Sequence, residues 1–359
     1  MKVGIIGMPN AGKSSLFNAL TQAGAQAANY PFTTIEPNVA VVPVEDERMV
    51  QVAATVGASE IVWDTIAFHD IAGLVAGAHK GEGLGNQFLA NIRETDALLH
   101  VVRAHGDSNV IHSEGSVDPQ RDIEIIETEL VFADLEQAER RHQRVAREAR
   151  SGEAHAIAEA AWLAAVIEAL SAGRAARTVP VPDDAPDAMR LLQPLTGKPV
   201  LFIANVDEGD GEVPPAVSAH AANEGAGSVA ISSRLEAELS ELSGEDAAAM
   251  RADLELDESG LEIVVRGAFE LLDLIAFFTA GEAKPAQSWH LRRGSTAWEA
   301  AGEIHTDIQR GFVRAEIIGW DALVEAGGYA AARERGTLRI EGRNYEVADG
   351  DVITVNFTP

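Results

Sequence analysis

The chain carries a glycine-rich segment, Gly7-Met-Pro-Asn-Ala-Gly-Lys-Ser-Ser15, a pattern typical of loops that surround a phosphate chain. Gly7 and Gly12 let backbone N–H groups turn inward around the phosphates. Lys13 is long enough to reach the β- and γ-phosphates, and the Ser14 hydroxyl is a typical ligand of Mg²⁺. The pattern predicts a site for a nucleoside triphosphate; a glycine-rich turn without a ligand is the alternative.

The residues around this loop match the strand–loop–helix arrangement in which phosphate loops occur. Val3–Ile6 is a short apolar strand, and Lys13–Ala23 has the apolar spacing of a helix that packs on one face. The phosphates would then lie at a helix N-terminus, where backbone dipoles favour negative charge. The residues predicted to contact the nucleotide here are Asn10, Ala11, Gly12, Lys13, Ser14 and Ser15.

Length and composition limit the architecture and the surroundings of the chain. At 359 residues, of which 46% are hydrophobic, two or three domains with packed cores are expected. No apolar run suggests a membrane span and no secretory signal is recognisable, so neither a membrane nor export is expected. The sequence has no cysteine, which excludes disulfides and thiolate metal sites and suits a cytoplasmic location.

The net charge of −28 argues against nucleic acid bound over the general surface, and no DNA partner is expected. The charge is uneven, because acids concentrate between residues 207 and 262 whereas 136–150 is locally basic. The arginines of this basic segment are Arg140, Arg141, Arg144, Arg147 and Arg150. Their spacing indicates either a contact surface for an acidic partner or a solvated helix face with Glu–Arg pairs.

Alternating strand and helix signals predict an α/β fold with a largely parallel sheet. The strand signals lie at Val3–Ile6, Val39–Val44, Thr65–Asp70, Leu98–Val102, Val200–Asn205 and Ser228–Ile231. Between the fourth and the fifth of these, residues 122–176 have the composition of two long helices with a turn near Ser151-Gly152. This segment is predicted to form an antiparallel hairpin inserted into the α/β domain.

The C-terminal part of the chain has a different pattern, with short strand-like segments separated by glycines. These segments are Ser288–Leu291, Val313–Ile318, Gly336–Ile340 and Val352–Phe357. They predict a small α+β module. The predicted division is therefore a nucleotide-binding domain at 1–121 and 196–275, a helical hairpin at 122–195, and the α+β module at 276–359.

Two further segments are placed to sense the γ-phosphate. Asp70 ends the third strand, where its carboxylate can hold Mg²⁺, and the Gly73 N–H can meet the γ-phosphate. Thr33 and Thr34 lie in a loop whose hydroxyls could close over the metal when triphosphate is bound. Leu74 stands where Ras-like enzymes place a water-orienting glutamine, so intrinsic hydrolysis is expected to be slow.

The base is expected to be contacted after the fifth strand, at Asn205, Val206 and Glu208. Guanine-selective enzymes have Asn-Lys-x-Asp at this point, and the aspartate accepts from guanine N1–H and the exocyclic amine. The longer Glu208 could swing aside, while Asn205 could contact N7 and the exocyclic amine of adenine. This interpretation favours adenine; a glutamate that still accepts from guanine is the alternative.

Taken together, these motifs resemble those of the YchF subfamily of Obg-like ATPases over essentially the whole chain. Besides the phosphate loop, the resemblance lies in Asn29-Tyr-Pro-Phe-Thr-Thr-Ile-Glu-Pro-Asn38, Asp70-Ile-Ala-Gly-Leu-Val75, Lys80-Gly-Glu-Gly-Leu-Gly-Asn-Gln-Phe88, Asn91-Ile-Arg-Glu94, Asn205-Val-Asp-Glu208 and Ile304-His-Thr-Asp-Ile-Gln-Arg-Gly-Phe-Val-Arg-Ala-Glu316. It implies a P-loop NTPase G domain that prefers ATP, an inserted helical hairpin and a C-terminal TGS domain of β-grasp fold. It also implies association with the ribosome or ribosomal RNA, in translation or stress responses.

The resemblance assigns roles that the residues alone leave open. In this family a loop histidine replaces the missing glutamine, and it maps to His112. Related enzymes with asparagine at the position of Asn10 use K⁺, so K⁺ is a candidate cofactor beside Mg²⁺. The predicted catalytic residues are Lys13, Gly73 and His112, and the predicted metal ligands are Ser14, Thr34 and Asp70.

Two positions depart from the family pattern. Thr33 stands where the family often has cysteine, which leaves Thr34 as the metal threonine. Ser232-Ser233 replaces the Ser-Ala or Cys-Ala pair that usually supports the base, and Ser232 is kept as a predicted contact.

Three hypotheses about function remain open at this level. The first is an ATP-hydrolysing switch that acts on the ribosome. The second is a GTP-dependent ribosome-assembly factor of the Obg type, which base preference separates from the first. The third is a non-catalytic module that senses adenine nucleotides, with hydrolysis incidental.

Overall fold

The computed structural model describes residues 1–27, 38–71, 84–106, 115–254, 256 and 258–358. These residues form two compact units, and each of them combines segments that are distant in sequence. The first unit consists of Met1–Val42 and Ala67–Leu271, and the second of Pro43–Ile66 and Leu272–Pro359.

The first unit is built on a six-stranded sheet. Its strands are β1 (Lys2–Ile6), β2 (Val39–Pro43), β4 (Thr65–Asp70), β5 (Ala97–Arg103), β6 (Val200–Asn205) and β7 (Gly227–Ile231), in the order β2-β4-β1-β5-β6-β7. The pairs β1–β4, β1–β5, β5–β6 and β6–β7 are all parallel. All six predicted strands are confirmed, because continuous apolar runs mark strands that are covered on both faces.

Helices surround this sheet. They are α1 (Lys13–Ala27), α3 (Leu84–Arg93), α4 (Pro119–Glu148), α5 (Ala154–Ser171), α6 (Ala188–Leu192), α7 (Pro215–Asn223), α8 (Ser233–Ser240), α9 (Gly244–Asp253) and α10 (Gly260–Leu271). Every residue of β5 and of β6 is buried. These two neighbouring strands are therefore covered on both faces, and the loops at the carboxyl ends of β1, β5 and β6 carry the candidate site.

The predicted hairpin is confirmed as α4 and α5. Asp118 caps α4 by accepting from the Arg121 N–H at 3.2 Å, and Pro119 occupies the first turn, where its missing N–H costs nothing. A 3₁₀ turn at Ala149–Ser151 ends in left-handed Gly152, which places the reversal at the predicted position. Trp162, Leu163 and Val166 of α5 lie in the hairpin's own apolar cluster.

Within the described residues, α5 alone is long and apolar enough to span a membrane by length and composition. The sequence expectation that no such run exists is therefore wrong for Ala154–Ser171. The helix packs against α4, and the carboxylate of its Glu159 pairs with Arg141 at 2.5 Å, with both side chains largely buried. These contacts are those of a core helix in a hairpin.

The second unit is a six-stranded mixed sheet. Its strands are β3 (Ile61–Val62), β8 (Leu274–Thr279), β9 (Ala286–Arg292), β10 (Phe312–Gly319), β11 (Arg339–Glu341) and β12 (Asp351–Phe357), in the order β11-β10-β12-β8-β9-β3. Its helices are α2 (Glu47–Val56), α11 (Ala297–Ile304), α12 (Thr306–Arg310), α13 (Trp320–Ala326) and α14 (Tyr329–Arg335). The antiparallel β8–β9 hairpin, the parallel β12–β8 pair and the helix after β9 make a β-grasp arrangement.

One predicted strand of this unit begins too early. Gly336 ends α14 in the left-handed conformation, at φ 71°, so the strand predicted from Gly336 begins only at Arg339. A left-handed glycine is a helix-stop signal, so the prediction is wrong for the first three residues of this strand.

The segment Pro43–Ile66 belongs to the second unit by its contacts. Strand β3 pairs with β9 in parallel, and Arg48 on α2 lies 2.8 Å from the Asp349 carboxylate. The Asp64 carboxylate accepts from the His290 N–H at 3.0 Å, and the Asp64 N–H donates to Ser288 Oγ at 2.9 Å. The three-part division predicted from the sequence, at 1–121 with 196–275, 122–195 and 276–359, differs from these two units and stays a prediction.

Candidate nucleotide-binding site

The phosphate loop connects β1 to α1, as predicted, and its backbone depends on glycine at two positions. A Cβ on Gly7, at φ 151°, would lie 2.3 Å from the Val101 carbonyl oxygen. A Cβ on Gly12, at φ 103°, would lie 2.2 Å from Asn205 Nδ2. Both distances are shorter than any real contact, so larger residues would displace the loop from the strand ends behind it.

Lys13 is buried within this loop. Its Nζ donates to the carbonyl oxygens of Gly7 at 3.0 Å and Met8 at 2.8 Å. Burial lowers the pKa of Lys13 to about 8, and the nearby charge of Asp70 opposes this shift. The ammonium is therefore held beneath the loop at the point where a phosphate chain would enter.

Asp70 and Ser14 are the described members of the predicted metal set. Asp70 ends β4, and burial raises its carboxyl pKa although Lys13 acts in the opposite direction. Ser14 is exposed in the first turn of α1. One carboxylate and one hydroxyl suit Mg²⁺, which prefers oxygen ligands and takes the rest from phosphates and water. No group of three or more His, Asp or Glu side chains with metal-binding geometry occurs in the described part of the chain.

A cavity of about 330 Å³ opens beside the loop. It is lined by Asn10, Gly12, Lys13, Ser14, Ser15, His105, Asn205, Val206, Asp207, Glu208, Ser232, Ser233 and Arg234. The structure thus brings the predicted phosphate-loop and base residues together around one space, with the exception of Ala11. A volume of this order suits a ligand of nucleotide size.

Asn205 joins the two ends of this cavity. Its Nδ2 donates to the Ala11 carbonyl at 3.0 Å, and its Oδ1 accepts from the Ser233 N–H at 2.9 Å. The side chain is buried. Sequence reasoning gave Asn205 a contact with the base and did not give it this bracing role.

Glu208 is held by a residue that the sequence analysis did not select. Arg234, on α8, donates from Nε at 2.8 Å and from Nη2 at 2.5 Å, and both bonds go to the same oxygen, Oε1. The side chain of Arg234 is 65% exposed and that of Glu208 is 39% exposed. The pair therefore lies at the accessible rim of the cavity.

The two serines before Arg234 differ in their roles. Ser232 caps α8, since its Oγ accepts from the Leu235 N–H at 3.4 Å. Ser233 is 1% exposed, and its Oγ has no hydrogen-bond partner among the described residues. This hydroxyl lies 3.3 Å from the position of a Cβ on Gly12.

Several predicted residues lie outside the described part of the chain. They are Thr33, Thr34, Gly73 and His112. Of the residues that sequence reasoning missed, Arg234 had a signal. It is one of only two basic residues between 207 and 262, where acids dominate.

Comparisons with known proteins identify the family and the fold of this chain. A family model described as a 50S ribosome-binding GTPase matches residues 2–145, and a model for the C-terminal region of YchF GTPases, described as a protein of unknown function, matches residues 274–358. The chain is 46% identical over 359 residues to the ribosome-binding ATPase YchF of Escherichia coli O157:H7, covering 99% of both chains. The chain belongs to the YchF family. A second YchF relative, from Bacillus subtilis, is 43% identical over 363 residues, again covering 99% of both chains.

Solved structures extend the YchF comparison to the fold. The structure of the Schizosaccharomyces pombe YchF GTPase matches with a TM-score of 0.86 and 32% identity, covering 99% of this chain and 97% of that one. A GTP binding protein from Pyrococcus horikoshii OT3 matches with a TM-score of 0.63 at 20% identity, covering 100% of both chains, and supports the fold alone. The predicted family and fold class, a P-loop G domain with a C-terminal β-grasp module, are confirmed.

Proposed function

We propose that this chain is an ATPase that works on the ribosome as a nucleotide-dependent switch. The observation that carries the proposal is one continuous cavity that joins a phosphate loop, with its buried Lys13, to the segment Asn205–Glu208. The bacterial YchF relatives, which this chain matches over 99% of their length, are named ribosome-binding ATPases. These names support the same activity and partner. A cytoplasmic location follows from a ribosomal partner.

Adenine is the proposed base. The segment after β6 has Val206 and Glu208 where guanine-selective sites have lysine and aspartate. Val206 is buried and offers no side-chain hydrogen bond. Glu208 is engaged by Arg234, so it does not present the pair of unoccupied acceptor oxygens that guanine requires.

Mg²⁺ is the proposed metal, and Ser14, Thr34 and Asp70 would hold it. When bound, it draws charge from the phosphate oxygens and so stabilises the charge that develops during transfer. K⁺ near Asn10 would add positive charge to the same region. Asn10 lines the cavity in the left-handed conformation, at φ 62°, which is required by the turn of the loop.

The chain's own residues then divide the work of phosphoryl transfer. Lys13, which now donates to Gly7 and Met8, would turn its ammonium to the β- and γ-phosphates. The Gly73 N–H would donate to a γ-phosphate oxygen. His112 would orient the attacking water, since Leu74 cannot. Each of these roles is positioning or electrostatic stabilisation, as phosphoryl transfer requires.

Ribosomal RNA is the proposed contact for the far end of the hairpin. Arg144, Arg147 and Arg150 are exposed at the end of α4 and in the turn that follows. Arg141 is instead paired internally with Glu159. The exposed arginines supply positive charge on a chain that is otherwise strongly acidic, and positive charge is what a phosphate backbone attracts.

A GTP-dependent function is the second candidate, because the S. pombe structure carries the name YchF GTPase and a matching family model describes GTPases. A non-catalytic sensor of adenine nucleotides is the third. Calorimetric titration of ATP and GTP into the nucleotide-free protein with Mg²⁺ separates the first two. Preference for ATP supports the proposal, and preference for GTP overturns it.

Turnover decides between the switch and the sensor. ATP hydrolysis is measured with and without ribosomes for the wild type and for His112→Ala. We expect ribosomes to stimulate the wild type, and the variant to bind ATP normally with lower turnover. Unchanged turnover in the variant rejects the role of His112. A hydrolysis-deficient variant that binds and leaves ribosomes like the wild type favours the sensor.

A further inference from the structure

The Arg234–Glu208 pair connects two elements that define the base end of the cavity. Glu208 follows β6, and Arg234 is the second residue of α8. The start of α8 is fixed by the Ser232 cap and by the bond from the Ser233 N–H to Asn205. Because both elements are anchored to the buried sheet, the ion pair has a defined position at the rim.

We propose that Arg234 sets the base preference of this site by holding Glu208 in a form that accepts adenine and rejects guanine. The inference rests on the proposed function, and it goes further by naming a residue that determines specificity. Arg234 acts here as a positioning residue for the carboxylate.

The reason lies in the hydrogen-bonding edges of the two bases. Guanine presents two donors, N1–H and the exocyclic amine, to a carboxylate and needs both of its oxygens as acceptors. Adenine presents one donor, its exocyclic amine, beside one acceptor, N1. In this structure two N–H groups of Arg234 occupy Glu208 Oε1. Oε2 is then the carboxylate oxygen that meets the base, which satisfies the single donor of adenine and leaves one of the two guanine donors unpaired.

The Arg234–Glu208 pair contributes little to the folding stability of the protein. Ion pairs between side chains as exposed as these contribute little to folding, because water screens the attraction and two long side chains lose freedom. The local charge also makes Arg234 distinctive, since Arg251 is the only other basic residue between 207 and 262. A substitution at Arg234 should therefore alter recognition without unfolding the protein.

The test is calorimetric titration of ATP and of GTP, with Mg²⁺, into the wild type, Arg234→Ala, Arg234→Lys, Glu208→Ala and the double variant Glu208→Ala/Arg234→Ala. Arg251→Ala is the matched control, because it removes the same charge from the same acidic region and does not line the cavity. The ratio of ATP to GTP affinity is the readout, since a purely structural role would weaken both nucleotides alike.

We expect Arg234→Ala to lower this ratio by about tenfold or more, chiefly by strengthening GTP binding. Arg234→Lys should retain part of the preference, and Arg251→Ala should retain all of it. In the Glu208→Ala background, removal of Arg234 should have no further effect on the ratio. An unchanged ratio in Arg234→Ala, or an equal change in Arg251→Ala, overturns the inference. Wild-type protein that neither binds nor hydrolyses ATP overturns the proposed function instead, whatever the variants do.

Discussion

Asn205 Nδ2 donates to the carbonyl oxygen of Ala11 at 3.0 Å, although the two residues are 194 positions apart in the chain. The same side chain accepts from the Ser233 N–H at 2.9 Å. One buried amide therefore holds the phosphate loop and the start of α8 in register with the end of β6.

Asn205→Ala should weaken ATP and GTP binding alike. The substitution leaves the Ala11 carbonyl and the Ser233 N–H buried without partners, and each such group costs about 1–3 kcal/mol. Calorimetry and thermal unfolding measure the two consequences. Asn205→Asp keeps the acceptor but loses the donor, so it should be impaired as well. A loss confined to one nucleotide would instead show that Asn205 contacts the base, as the sequence analysis expected.

Binding of ATP at about pH 8 should take up protons, because the pKa of Lys13 in the empty site is about 8 and a triphosphate raises it. Close to half of the Lys13 side chains are then neutral before binding, so uptake approaches about half a proton per site. Calorimetric titrations of ATP in two buffers of different ionisation enthalpy measure the number of protons taken up per site. At about pH 6 Lys13 is already protonated and its uptake should vanish. Equal proton uptake at both pH values would contradict the lowered pKa of Lys13.

The same shift predicts how the stability of the empty protein depends on pH. The folded-state pKa of Lys13 is lowered to about 8 from 10.5 in the unfolded chain. Between these values the unfolded state binds more protons, so the Lys13 contribution to the free energy of unfolding rises with pH. Below pH 8 it is constant. Lys13→Met should remove this rise, and denaturant unfolding of both proteins across this range measures the difference.

Two neighbouring serines should respond oppositely to alanine. Ser233→Ala removes a buried hydroxyl that has no partner in the described structure, so the free energy of unfolding should stay the same or increase by up to about 1–3 kcal/mol. Ser232→Ala removes a helix cap and should cost about 0.5–2 kcal/mol. Denaturant unfolding measures both. If Ser233→Ala lowers ATP affinity strongly, its hydroxyl is a ligand contact.

Sequence alone predicted the phosphate loop, the parallel strands and the hairpin, because each depends on local patterns. Gly7 and Gly12 are required by backbone geometry, and buried strands are marked by apolar runs. The partner of Glu208 could not be predicted in the same way, since Arg234 is distant in sequence and meets it only after β6 and α8 are packed. Nor could the local pattern show that Asp64 bonds to His290, a contact across 226 positions.

Arg48→Ala should destabilise the second unit. Arg48 bonds to Asp46 at 2.7 Å and to Asp349 at 2.8 Å, and its guanidinium lies 5.8 Å from the centre of the Phe278 ring. These side chains are partly exposed, so the coupling between Arg48 and Asp349 is expected to be about 1 kcal/mol. A double-mutant cycle with Asp349→Ala, read by unfolding at low and high salt, measures it. No coupling at low salt would contradict the pairing.

The membership of Pro43–Ile66 in the second unit sets an order of events during synthesis. Arg48 leaves the ribosome 301 residues before its partner Asp349. At translation rates of about 5–20 residues per second, that interval is about 15–60 s. For most of it, until Ala286–Arg292 has been synthesised, β3 has no β9 to pair with. Pro43–Ile66 lies in the chain between Thr34 and Asp70, which belong to the two segments predicted to sense the γ-phosphate. This stretch is thus among the last to reach its native contacts.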